Sequence, residues 1–159
     1  MNINEFINGY NEAQNKEKYL KKHVTTSYID WGVKIFESER IVQMSCYDNN
    51  DESRRFRINS PMRYYLYVLA VIKNYTDVEI EDGKGLQSFD ELEKNGITTP
   101  LLAAIGVDAD SFQTVLKMTL DDHIMNYRDV TSWMDEKLEA IKTVFDMLGE
   151  ISEDGEEKE

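Results

Sequence analysis

Helical periodicity dominates the chain. Phe6, Tyr10 and Ala13 recur at intervals of four and three, which puts them on one face of a helix that Asn4 is placed to cap. Lys16–His23 is strongly charged, with Tyr19 and Leu20 as apolar anchors, until Thr25-Thr26-Ser27 breaks it. Tyr28-Ile29 reads as a short extended entry, and Asp30 stands where it would cap a helix from Trp31 to about Cys46. Trp31, Ile35, Val42 and Cys46 lie close to one stripe of that helix, so they are its expected core anchors. The run 47–53 is a polar loop, and Phe56–Asn59 suits a short strand or an extended connector.

Ser60-Pro61 gives the clearest start signal, a serine cap followed by a proline whose missing N–H costs nothing at a first helical position. The helix that follows, near 61–76, is apolar almost all round through Tyr64–Ile72, which predicts a central element packed on every side. Leu86, Phe89 and Leu92 mark a short helix closed by Asn95-Gly96. Thr99-Pro100 repeats the cap-then-proline start for Leu101–Ile105, ended by Gly106. Asp108 or Asp110 then opens a longer helix on Phe112, Leu116, Leu120 and Ile124, with a break or bend expected near Asn126–Asp129.

The last helix has the most regular spacing. Val130, Met134, Leu138, Ile141, Phe145 and Leu148 stand 4, 4, 3, 4 and 3 apart, a seven-residue repeat. Such a seam either packs into the domain's own bundle, the reading its short length favours, or meets a partner in a coiled coil. Together the pattern predicts an all-α fold: one bundle of six or seven helices over 1–149, with an acidic, disordered tail over 150–159.

Composition and charge add to this. The 159 residues carry 18 Lys and Arg against 31 Asp and Glu, a net charge of −13. Residues 1–75 hold 11 basic and 9 acidic side chains, net +2, whereas 76–159 hold 7 and 22, net −15. Such a field disfavours nucleic acid and anionic membranes as partners of the second half. It suits a basic protein partner or a head-to-tail contact with a second copy. A single cysteine, Cys46, forms no internal disulfide. No apolar run approaches a membrane span, and Met1–Gly9 carries Glu5 without Lys or Arg, unlike a signal peptide. The expected location is the cytoplasm.

Candidate chemistry is sparse. Asp121-Asp122-His123 cannot converge on one ion from a helix, because neighbouring residues point about 100° apart. Cys46 and His23 lack any surrounding nucleophile signature. Asp48, Asp51 and Glu52 resemble a calcium loop without its glycine and its final glutamate, and Gly83-Lys84-Gly85 falls short of a phosphate cradle. No catalytic residue, metal site or cofactor is assigned, and an enzyme is not expected. The strongest local feature is a basic cluster, Arg54, Arg55, Arg57 and Arg63, interleaved with Phe56, Tyr64 and Tyr65. Guanidinium forks beside aromatic rings suit carboxylates, phosphates and stacked bases alike. Arg54, Arg55, Phe56, Arg57 and Arg63 are therefore the candidate protein-binding residues, toward this chain's own acidic half or a partner.

Four segments carry a resemblance: MNINEFINGY; YLKKHV followed by YIDWGVKI; NSPMRYYLYVLAVIKNYTDVEI; and FQTVLKMTLDDHIMNYRDVTSWMDEKLEAI. They resemble a family of small acidic proteins encoded by phages and prophages of Gram-positive bacteria. The resemblance implies a non-enzymatic assembly accessory, such as a tail-assembly chaperone or a head–tail connector component, acting in the host cytoplasm or within the virion. The competing expectation is an anti-defence inhibitor whose carboxylates mimic nucleic acid in the basic groove of a host nuclease or CRISPR effector.

Overall fold

The computed structural model describes the backbone of residues 1–47 and 56–153, and the side chains of all of these except 140 and 143–153. Seven helices account for the described chain: α1 (Ile3–Glu12), α2 (Lys16–His23), α3 (Trp31–Cys46), α4 (Ser60–Tyr75), α5 (Gly85–Lys94), α6 (Thr98–Ile105) and α7 (Val107–Glu153). Among the described residues there is no strand, only isolated bridges such as Asn2 with Glu79 and Tyr47 with Phe56. The protein is all-α. Contacts divide it into two units, Met1–Leu120 and Asp121–Glu159.

Helix ends follow local chemistry. Asn2, not Asn4, caps α1: its side chain accepts from the Asn4 amide while Glu5 reaches back to the Asn2 amide, a reciprocal box that Asn4 has no residue to complete. Asn59, one residue before the expected serine, caps α4, and Pro61 sits in its first turn. Thr98 opens α6, ahead of the expected Thr99-Pro100 start. Gly96 and Gly106 close α5 and α6 with φ of 64° and 81°, a left-handed conformation that side chains with a Cβ resist.

In the first unit α4 is the central element, touching α3, α5 and α6. Its Leu66, Val68, Val71, Ile72 and Tyr75 are buried together with Phe6, Leu20, Ile41, Leu92 and Leu101. Tyr67 ties α4 to the start of α7, packing its ring 5.3 Å from Phe112 and donating to the Ala109 carbonyl. α1 lies so close to α2 that a Cβ at Gly9 would collide with the Tyr19 hydroxyl.

The second unit is the remainder of α7. The helix runs unbroken through Asn126–Asp129, where a bend was expected; that stretch holds no proline or glycine to force one. Val130, Met134, Leu138 and Ile141 are exposed, so the four described members of the heptad seam are not core residues. Helical backbone continues to Glu153, into the stretch expected as tail, and 154–159 lie outside the described residues.

Candidate functional site

α3 keeps its expected facing in its second half and departs from it in the first. Its buried face is Lys34, Glu37, Ser38, Ile41, Val42, Ser45 and Cys46, recurring at three and four residues as an inward stripe must. Lys34 and Glu37 are each only 2% exposed. Of the expected anchors, Val42 and Cys46 are buried, but Trp31 is 52% and Ile35 48% exposed, and Phe36 reaches 67%. Tyr28 and Val33 add further exposed apolar surface at the same end of the helix.

Two ionic centres hold this orientation. The Lys34 ammonium donates to Asp108 Oδ1 at 2.5 Å and to Ser111 Oγ at 3.2 Å, both on the first turns of α7, and sits 5.0 Å from the Tyr28 ring. Asp108 Oδ2 accepts from the Ile29 amide at 3.0 Å and from the buried Tyr75 hydroxyl at 2.8 Å. Burial pushes the Asp108 carboxyl up, but the Lys34, Ile29 and Tyr75 donors outweigh it and hold it below the usual carboxylate range. One turn along, Glu37 is clasped by Arg40 at 2.7 Å and by Lys73 of α4 at 3.1 Å. Burial again raises its carboxyl, and the bonds from Lys73 and Arg40 bring it below the ordinary value. Buried charges of this kind must be paired, and with Lys34 turned to Asp108 the side chain of Phe36, on the opposite side of the helix, faces solvent.

The expected arginine cluster is placed in pieces. Arg54 and Arg55 lie outside the described residues. Phe56 packs edge-on against Tyr47, ring centroids 5.2 Å apart. Arg57 is exposed, its amide bonded to the Cys46 carbonyl at 2.7 Å. It lines a recess of 740 Å³ with Met44, Tyr47 and Ile58. Arg63 lines a different recess, 430 Å³, with Tyr64, Tyr67, Asp110 and Lys117. Its Nη2 donates to Ser60 Oγ at 3.4 Å, while its buried Nη1 has no hydrogen-bond partner among the described residues. Arg57 and Arg63 thus serve separate recesses at the start of α4.

The other candidates are used within the fold. Buried His23 places Nδ1 3.1 Å from Asp77 Oδ1 and packs against Tyr19 and Phe6. Cys46 is buried, with Ser45 Oγ 3.5 Å from its sulfur. Among the described residues no group of three or more His, Cys, Asp and Glu side chains gathers as ion ligands. No described helix is long and apolar enough to cross a membrane.

The chain matches no known protein family, no curated protein and no solved structure. What the sequence reading missed is the α3 surface. Its signal was present: Lys34, Ser38, Ile41 and Ser45 repeat at four, three and four, a regular stripe with three polar members of four.

Proposed function

We propose that this chain is a non-enzymatic interaction protein whose work is done by docking. The observation that carries the reading is the first half of α3 and its approach: aromatic and aliphatic side chains face solvent at Tyr28, Trp31, Val33, Ile35 and Phe36, while Lys34 and Glu37 are buried. Surface apolar residues scattered singly are ordinary, whereas five exposed within nine residues at one end of α3 are the density that a protein contact would use. Trp and Phe on a rigid helix are also the residue types that anchor interfaces. Arg57, exposed beside the C-terminal end of α3, offers a separate basic contact suited to a carboxylate.

The resemblance to small acidic phage proteins favours a virion-assembly partner, with this chain acting as a tail-assembly chaperone or head–tail component. The test pairs Ile35→Ser with Phe36→Ser and captures partners from phage-infected cells. The wild-type chain is expected to retain a defined virion-assembly protein, and the double variant to lose it while remaining folded. Retention of that protein by the double variant would remove α3 from the account. Recovery of a host nuclease in its place would transfer the function to the anti-defence reading.

A further inference from the structure

Beyond the α3 surface, and independent of it, the second unit carries its own recognition pattern. From Ile124 to Ile141, α7 places Ile124, Thr131 and Leu138 at one position of the heptad and Tyr127, Met134 and Ile141 at the position three residues on. Of these six, Tyr127, Thr131, Met134, Leu138 and Ile141 are exposed, forming a seam of the 3.5-residue period that drives two helices together. The positions just outside the seam decide what covers it. On one flank stand Asp121, Arg128, Asp135 and Lys142, alternating in sign every seven residues. On the other stand His123, Val130 and Lys137; Val130, one residue before Thr131, flanks the seam because its two four-residue steps to Leu138 overrun the heptad.

We propose that the seam's occupant is the same segment of a second copy, in an antiparallel, two-fold-symmetric helix pair. In an antiparallel pair, like flanks meet. Setting Arg128 opposite Asp135 of the other copy also sets Asp121 opposite Lys142, and symmetry repeats both, so every charge on that flank meets its opposite. The same register layers Ile124 on Ile141, Tyr127 on Leu138 and Thr131 on Met134. A parallel pair would instead join opposite flanks and bring Lys137 against Lys142 twice, a like-charge contact. Within its own helix neither Arg128 nor Asp135 has an opposite charge three or four residues away. The far side of the same stretch presents Asp122, Asp129 and Glu136 to solvent, as the outer face of a helix pair should.

The test is sedimentation of the full chain and five variants. The wild type is expected to be dimeric at concentrations on the order of 100 μM, and Met134→Glu with Leu138→Glu to be a monomer of unchanged helicity. Arg128→Glu alone, or Asp135→Arg alone, should weaken the dimer about tenfold, because each sets two like pairs in contact. Combining R128E with D135R should restore it, since only the antiparallel register joins these two positions. The Ile35→Ser, Phe36→Ser variant should keep the dimer intact, which separates this contact from docking through α3. A monomeric wild type, a dimer indifferent to the single reversals, a combined variant no stronger than the singles, or a dimer lost with the α3 residues would each overturn the proposal.

Discussion

Replacing Lys34 by methionine tests the inward face of α3 at its most expensive point. The substitution keeps most of the aliphatic stem and removes the ammonium. Two hydrogen bonds go with it, a charge-assisted one to Asp108 and another to Ser111. At about 1.5–3 kcal/mol for the first and about 0.5–1.5 kcal/mol for the second, the loss is about 2–4.5 kcal/mol. A buried carboxylate stripped of its counter-charge costs about 3–5 kcal/mol by an independent route. The Ile29 amide and Tyr75 hydroxyl still hold Asp108, so about 3 kcal/mol is the expected value. The 120 residues of the first unit should be stable by about 6–18 kcal/mol, and the melting temperature should fall by about 12 °C. Urea denaturation followed by far-ultraviolet circular dichroism measures it. Neutralising the orphan with Asp108→Asn in the same chain should recover about half the loss. A Lys34→Met variant within about 0.5 kcal/mol of wild type, as an exposed lysine would give, would refute the reasoning.

Two further outcomes follow from the packing and the charges. Gly9→Ala should lose about 1–3 kcal/mol despite alanine's better helix propensity, because its methyl group must displace Tyr19; paired urea melts of Gly9→Ala and Tyr19→Phe/Gly9→Ala check whether the hydroxyl is the obstacle. The acid limb of stability should belong to Asp108 and Glu37. Both carboxyls are held below their unfolded values, so their contribution is complete above about pH 5 and is lost as pH falls below about 4 through the folded values. Relief of the net charge of −13 acts the other way, so the urea midpoint should hold or rise from pH 7 to 5 and fall below 4. A midpoint still level at pH 3 would contradict the pairing of these two groups.

The boundaries of α2, α3 and the ends of α5 and α6 were legible in the sequence because they are written in local chemistry, whereas the single long α7 was not. Lys16–His23 and Trp31–Cys46 are the expected spans, and the Asn95-Gly96 pair and Gly106 stop helices where they were expected to. The facing of α3 was not legible by the same means. A lysine reads as solvated until its partner is known, and Asp108 lies 74 residues away. Without that ion pair the Trp31–Ile35 stripe is the better core candidate by hydrophobicity. Capping erred for a related reason: Asn2 and Asn59 win over Asn4 and Ser60 through bonds to one particular amide. The arginine cluster was visible as composition, but Arg57 precedes α4 and Arg63 sits a turn inside it, so they open onto different recesses. The heptad seam was plain in its spacing; whether it faces inward or outward was not.

The claim on which the docking surface depends is that α3 turns Lys34 and Glu37 in and Trp31 and Phe36 out, and side-chain accessibility measured residue by residue tests it. In the isolated chain, brief amine acetylation and hydroxyl-radical oxidation read by mass spectrometry should leave Lys34 the slowest lysine to react. Lys73, whose side chain is 66% exposed, should react readily, and Trp31 and Phe36 should oxidise at the rates of exposed rings. Lys34 reacting as fast as Lys73, with Trp31 and Phe36 protected, would contradict the account.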